Sequence, residues 1–87
     1  GRDSEALVDL RKAIYLDPGL GFAHFMLAGA LARLGESTAA ARSYRAAAEL
    51  LQRMPGDVAA DELGGRSAAE LAELCTQLAD RAERHGG

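Results

Sequence analysis

Few residues in this 87-residue chain combine the type and spacing that chemistry needs. The two histidines, His24 and His85, fall in different predicted elements, and neither has a second His or Cys at zinc-ligand spacing. The single cysteine, Cys75, shares a helical stripe with Leu71, Leu74, Leu78 and Ala82, the setting of a small core residue rather than of an activated nucleophile. Asp57, Asp61 and Glu62 cluster in an irregular stretch but do not follow the alternating pattern of a calcium loop. Gly19, Gly21 and Gly29 are wrongly spaced for a phosphate-binding loop. Arg42, Arg45 and Arg53 form a row that suggests phosphate contacts. Glu36 and Glu49 interrupt it and no aromatic residue alternates with it, so a solvated helix face is expected. No catalytic residue, metal ligand or cofactor site is expected in these residues.

The elements that would hold such side chains point the same way. Hydrophobic residues make up 48% of the chain but aromatics only 5%, with no Trp, so Ala and Leu must build the core at short helix–helix distances. Both are strong helix formers, and two prolines do little to oppose them, so the expected class is all-α. At this length the chain forms one small domain with a limited core. The net charge of −3 does not suggest a polyanionic partner, and neither nucleic acid nor membrane is expected as one. Residues 1–54 carry net +1 and residues 55–87 net −4; the acidic end reads as a solvated helix face. A lone cysteine favours a reducing, cytoplasmic compartment. The sequence shows no signal peptide and no apolar run of membrane-spanning length.

Periodicity predicts four helices. The first spans about Ser4 to Leu16, with Leu7, Leu10, Ala13, Ile14 and Leu16 as its apolar residues, mostly at helical spacing, Asp3 or Ser4 as its cap and Pro18 as its stop. The second runs from about Gly21 to Leu34, with Leu27, Leu31 and Leu34 on one face and small residues allowing close approach. It ends at Gly35, expected in the left-handed conformation. Ser37 or Thr38 caps the third, which continues to about Arg53 and buries Ala40, Ala41, Tyr44, Ala47, Ala48 and Leu51. Residues 55–66 form a loop. Ser67-Ala-Ala-Glu70 is a capping box that opens the last helix, 67–85. Arg81, Arg84 and His85 stand near its C-terminus, where positive charge suits the helix dipole, and Gly86 ends it.

Ala6, Leu10 and Ala13 recur as Ala40, Tyr44 and Ala47, each pair 34 residues apart. That is the tetratricopeptide period. The run from Pro18 resembles that repeat's pattern, with His24 at its Trp site, then Leu27, Ala28 at its Gly site and Leu31 at its Tyr site. His24 is accordingly expected to pack as a flat side chain between helices. Residues 1–54 thus read as one and a half repeats, with the chain starting mid-repeat and its natural N-terminus expected upstream. A continued register would place Leu at residue 61 and Gly at 62, where Asp61 and Glu62 stand. The last helix therefore reads as a terminal cap with a polar outer face.

Two stretches carry a narrower resemblance. Glu5-Ala-Leu, Arg11-Lys-Ala-Ile-Tyr-Leu-Asp-Pro18, Phe-Ala-His24-Phe-Met-Leu27 and Ala-Arg33-Leu-Gly35 look like the repeats attached to CheR-type chemotaxis receptor methyltransferases. So does Leu50-Leu-Gln-Arg-Met-Pro55, followed by an acidic loop and Gly-Arg-Ser67-Ala-Ala-Glu-Leu71. The resemblance implies a C-terminal interaction domain, with the S-adenosylmethionine site and methyl transfer to receptor glutamates located upstream of these residues. It also implies a protein or peptide partner, a chemoreceptor or another signalling protein. In tetratricopeptide arrays the first helix of each repeat lines a partner groove; carried over by position, the groove residues are Phe22, Phe25, Gly29, Ala32 and Arg33. Gly29 stands where carboxylate-clamping repeats carry Asn, which disfavours a receptor for peptide C-termini. Two readings of Phe22 and Phe25 stand side by side: a docking surface, or packing against a neighbouring helix. A generic repeat scaffold that self-associates is the alternative function, because Leu7, Leu10 and Ile14 lack the preceding helix that would cover them.

Overall fold

The computed structural model describes residues 2–54, 65 and 67–86, with backbone alone at 2, 3, 85 and 86. The expected loop over 55–66, with Asp57, Asp61 and Glu62, lies outside the described residues apart from Gly65 and carries no structural account. Among the described residues the chain is all-α: α1 (Arg2–Leu16), α2 (Gly21–Arg33), α3 (Ser37–Gln52) and α4 (Ala68–Gly86), with no strand.

Each helix packs chiefly on its neighbours in sequence. The backbone of Gly21 lies against Leu50 and Leu51, while Phe25 lies near Tyr44, so α2 and α3 run antiparallel. Arg45 reaches Asp80 and Glu83, whereas Leu51 borders the same cleft as Ala68 and Ala72; α3 and α4 are therefore antiparallel as well. Between α2 and α3 the short connection requires this, because a three-residue link over 34–36 leaves no length to carry the chain back to the other end.

The sharpest local signal is Gly35. Its φ of +81° is in the left-handed region that costs an L-residue with a Cβ but not glycine. Glu36 N–H donates to the Leu31 carbonyl at 2.9 Å and Gly35 N–H to the Ala32 carbonyl at 3.1 Å. These two bonds form the Schellman arrangement, which satisfies carbonyls that would otherwise be orphaned at the end of α2.

The expected caps divide. At α4 the Glu70 N–H donates to Ser67 Oγ at 3.1 Å, and the Ser67 hydroxyl donates to Glu70 Oε1 at 3.1 Å. The capping residues are those predicted, although Glu70 closes onto the hydroxyl instead of the backbone. At α3 the expectation fails: Glu36 occupies the N-cap without a side-chain bond, and Ser37 is already helical. The Schellman turn explains this, since it recruits the Glu36 N–H backward to α2 and leaves no room for an extra capping residue. Likewise α1 is helical from Arg2, so Asp3 and Ser4 lie inside the first turn rather than at the cap.

The core is made of small residues wedged between larger ones. Ala28, Ala30, Ala40, Ala47, Cys75 and Ala79 are fully buried, with Leu31, Tyr44, Leu51, Leu71 and Ala72 around them. No polar or charged residue is buried among the described residues. The six residues expected to face inward from α3 are the six that are buried there. Leu51 and Leu71 are the largest of the fully buried side chains, worth about 2 to 3 kcal/mol each relative to exposure. Leu7, Leu10 and Ile14 are half-buried against this core. Their neighbours Val8, Tyr15 and Leu16 are far more open, at 55%, 85% and 82% exposure.

Candidate functional site

The five residues placed in the groove by position, Phe22, Phe25, Gly29, Ala32 and Arg33, lie at helical spacing along one side of α2. Phe22 and Phe25 stack with ring centroids 5.9 Å apart and planes inclined by 21°. Phe25 also meets Tyr44 at 6.2 Å in a tilted contact. A Cβ placed on Gly29 would stand 3.5 Å from Arg33 Nη1 and 3.9 Å from Tyr44 Oη. Phe22, Phe25, Gly29 and Arg33 are thus brought together around Tyr44, while Ala32 is exposed on the edge of the strip.

The phenylalanines are neither fully buried nor displayed. Both are half-buried and pack on the core, so packing and surface exposure apply to the same rings. Two residues escaped the positional assignment. Met26 is 46% exposed, and it sits four residues after Phe22 and three before Gly29, in the centre of the strip. Tyr44 reaches the strip from beneath. Both spacings were visible in the sequence: Met26 by its i+4 relation to Phe22, and Tyr44 as the one aromatic residue on the inward face of α3.

Two titratable groups of this region are shifted by burial. Burial raises the Tyr44 phenol above its ordinary value, the neighbouring Cys75 adds to the rise, and Arg33 acts in the opposite direction. The Cys75 thiol is pushed up from 9.0 to about 11 by burial, so at neutral pH it is protonated and shielded. His24 is half-buried, and its Nε2 lies 3.2 Å from the Pro18 carbonyl oxygen. It thus ties the turn between α1 and α2 as well as packing beside it. Among the described residues no three His, Cys, Asp or Glu side chains gather to hold a metal ion. The strip itself consists of aromatic, thioether and guanidinium groups.

The basic row of α3 is exposed, as expected: Arg42, Arg45 and Arg53 all face solvent, and Arg45 in addition joins α3 to α4. Its Nε donates to Glu83 Oε1 at 2.8 Å, and its Nη2 donates to Asp80 Oδ1 at 3.2 Å. The hydrogen bonds to Glu83 and then Asp80 raise its already high pKa. A helical row read from the sequence shows which residues share a face; it does not show that a later acidic helix packs along that face.

No described helix is long and apolar enough to cross a membrane. Compared with models of protein families, with curated proteins and with solved structures, the chain matches none of them.

Proposed function

We propose that this chain is a protein-interaction domain of tetratricopeptide type, with α2 and α3 as its complete repeat, α1 as the second helix of the preceding repeat and α4 as its cap. Within a longer chemotaxis-type methyltransferase it positions an upstream S-adenosylmethionine-dependent domain beside its protein substrate in the cytoplasm. The supporting observation is the Phe22–Phe25–Met26 strip, which stays partly open beside a sequential antiparallel helix array with a 34-residue period. Stacked rings lose little conformational freedom when a partner covers them, and Met26 adapts to an irregular apolar surface. Bound S-adenosylmethionine would supply the methyl group for a receptor glutamate; the residues of this chain hold the partner segment and leave that chemistry to the upstream domain.

The test is calorimetric titration of S-adenosylmethionine into the longer protein, with this chain alone as the control. Binding by the longer protein and not by the chain supports the methyltransferase role. Binding by neither overturns it and leaves a repeat scaffold whose partner is sought through the strip on α2.

A further inference from the structure

Arg45 shows what an arginine at its place in the 34-residue register recruits. It faces the following helix, whose Glu83 and Asp80 offer carboxylates three residues apart, at 2.8 and 3.2 Å. The counterparts of Arg45 and its neighbour Ala48 on α1 are Arg11 and Ile14. They also face the following helix, at His24 and Leu27. That helix, α2, carries no acidic residue. The third wall of the groove is α3, which brings Ala46 and a second guanidinium, Arg42. Among the described residues neither Arg11 nor Arg42 has an ion pair or a hydrogen bond through its guanidinium. Asp9 is two residues from Arg11, and helical neighbours at that spacing do not face each other. The groove has a volume of about 340 Å³, with Ile14, Leu27 and Ala46 as its apolar lining, two exposed guanidinium groups and no carboxylate among the described residues around it.

We infer that this groove docks an acidic peptide segment of a protein partner. The segment presents carboxylates about one helical turn apart, as α4 does to Arg45, with an apolar side chain between them. Arginine suits this task because its planar fork binds a carboxylate through two N–H groups and keeps its charge at every physiological pH. The apolar lining argues against a free phosphate, which would leave it uncovered, and the net charge of −3 opposes a polyanion. A volume at the small end of the range for ligand sites, about 300 to 1,000 Å³, accepts one or two side chains rather than a folded domain. A helix preceding α1 would leave the groove open. In the register it would meet Val8 and Lys12, the counterparts of Arg42 and Ala46, whereas Arg11 and Ile14 face forward to α2. His24 and Leu27 lie on another side of α2 from Phe22, Phe25 and Met26, so the site is separate from the strip and does not depend on the methyltransferase role.

The test is an NMR titration of the nitrogen-15-labelled 87-residue chain with a synthetic acidic peptide. The peptide has about twelve residues of glutamate, leucine and alanine, with glutamates three residues apart around each leucine. Binding is expected below about 1 mM, with the Nε–H signals of Arg11 and Arg42 shifting and that of Arg45, already held by Glu83, staying in place. Arg11→Gln and Arg42→Gln are each expected to weaken binding by about two- to fivefold, and both together by about tenfold, with unchanged helical circular dichroism. Arg53→Gln removes the same charge from the far end of α3 and is expected to leave binding unchanged. No binding at 1 mM overturns the proposal, as do shifts centred on Phe22, Phe25 and Met26 instead. Equal weakening by Arg53→Gln, or equal binding of a peptide with glutamine in place of glutamate, also overturns it. Inorganic phosphate that shifts both arginines as strongly at the same concentration overturns the peptide as occupant.

Discussion

Gly21 and Gly29 belong to the same helix yet are expected to respond to alanine with opposite signs. A Cβ at Gly21 would stand 3.0 Å from Leu51 Cγ, 3.2 Å from Leu50 Cβ and 3.3 Å from Leu51 Cδ2. The close atoms are a branch carbon and a Cβ rather than the loose end of a long side chain. Leu51 is only 1% exposed and has little space to retreat into. Overpacking of this kind costs about 1 to 3 kcal/mol. The helix-propensity gain of Gly→Ala, at most about 1 kcal/mol and smaller in the first turn, does not offset it. At Gly29 the nearest atoms are 3.5 and 3.9 Å away, ordinary contact distances, so the propensity gain survives. Gly21→Ala is therefore expected to destabilise by about 1 to 2 kcal/mol and Gly29→Ala to stabilise by about 0.5 to 1 kcal/mol. For a domain of this size, 1 kcal/mol moves Tm by roughly 4 to 8 °C, so thermal melts separate the two variants clearly. Urea denaturation with unchanged m-values would assign the difference to the native state. Stabilisation by Gly21→Ala, or destabilisation by Gly29→Ala, would refute the close approach of α2 to α3 from which both signs were worked.

Gly35→Ala places a Cβ at φ +81° and is expected to cost about 1 to 2 kcal/mol in urea denaturation; Gly35→Asn should cost less, because Asn tolerates that region. For Cys75, the native thiol titrates near 11 against 9.0 for the ordinary group, so the unfolded chain loses its proton first as pH rises. Its contribution is whole below about pH 9 and falls by about 2 to 3 kcal/mol by pH 11, a slope that Cys75→Ala should reduce when denaturation midpoints are compared at pH 8 and 10.5. Tyr44, also raised, contributes in the same direction and should account for part of the slope that remains. Met26→Asp changes an exposed residue and is expected to shift stability by no more than about 0.5 kcal/mol; if the methyltransferase role proposed above holds, it should also lower receptor-glutamate methylation by the longer protein. An unchanged methylation rate would remove the α2 strip from partner binding.

The sequence by itself determined the helices, their order and most of the buried set. These depend on local rules: Ala and Leu propensity, apolar spacing, a stop at Pro18, a left-handed glycine at 35 and Ser67 before α4. The inward face of α3 was legible for the same reason, because one helix period places its alanines and Tyr44 together. The five strip residues could also be placed on one side of α2 from spacing alone. Tertiary structure decided how far each was covered. Phe25 meets Tyr44 from α3, a contact between residues 19 positions apart that no local pattern encodes, and both phenylalanines end up half-buried against the core. Tertiary structure also gave Arg45, still exposed in its solvated row, a link to Asp80 and Glu83, and moved the α3 cap to Glu36 because the end of α2 claimed its N–H. Helical periodicity fixes the direction of a side chain on its own axis. What it meets there depends on the neighbouring helices, whose positions follow from burying all of the apolar faces at once.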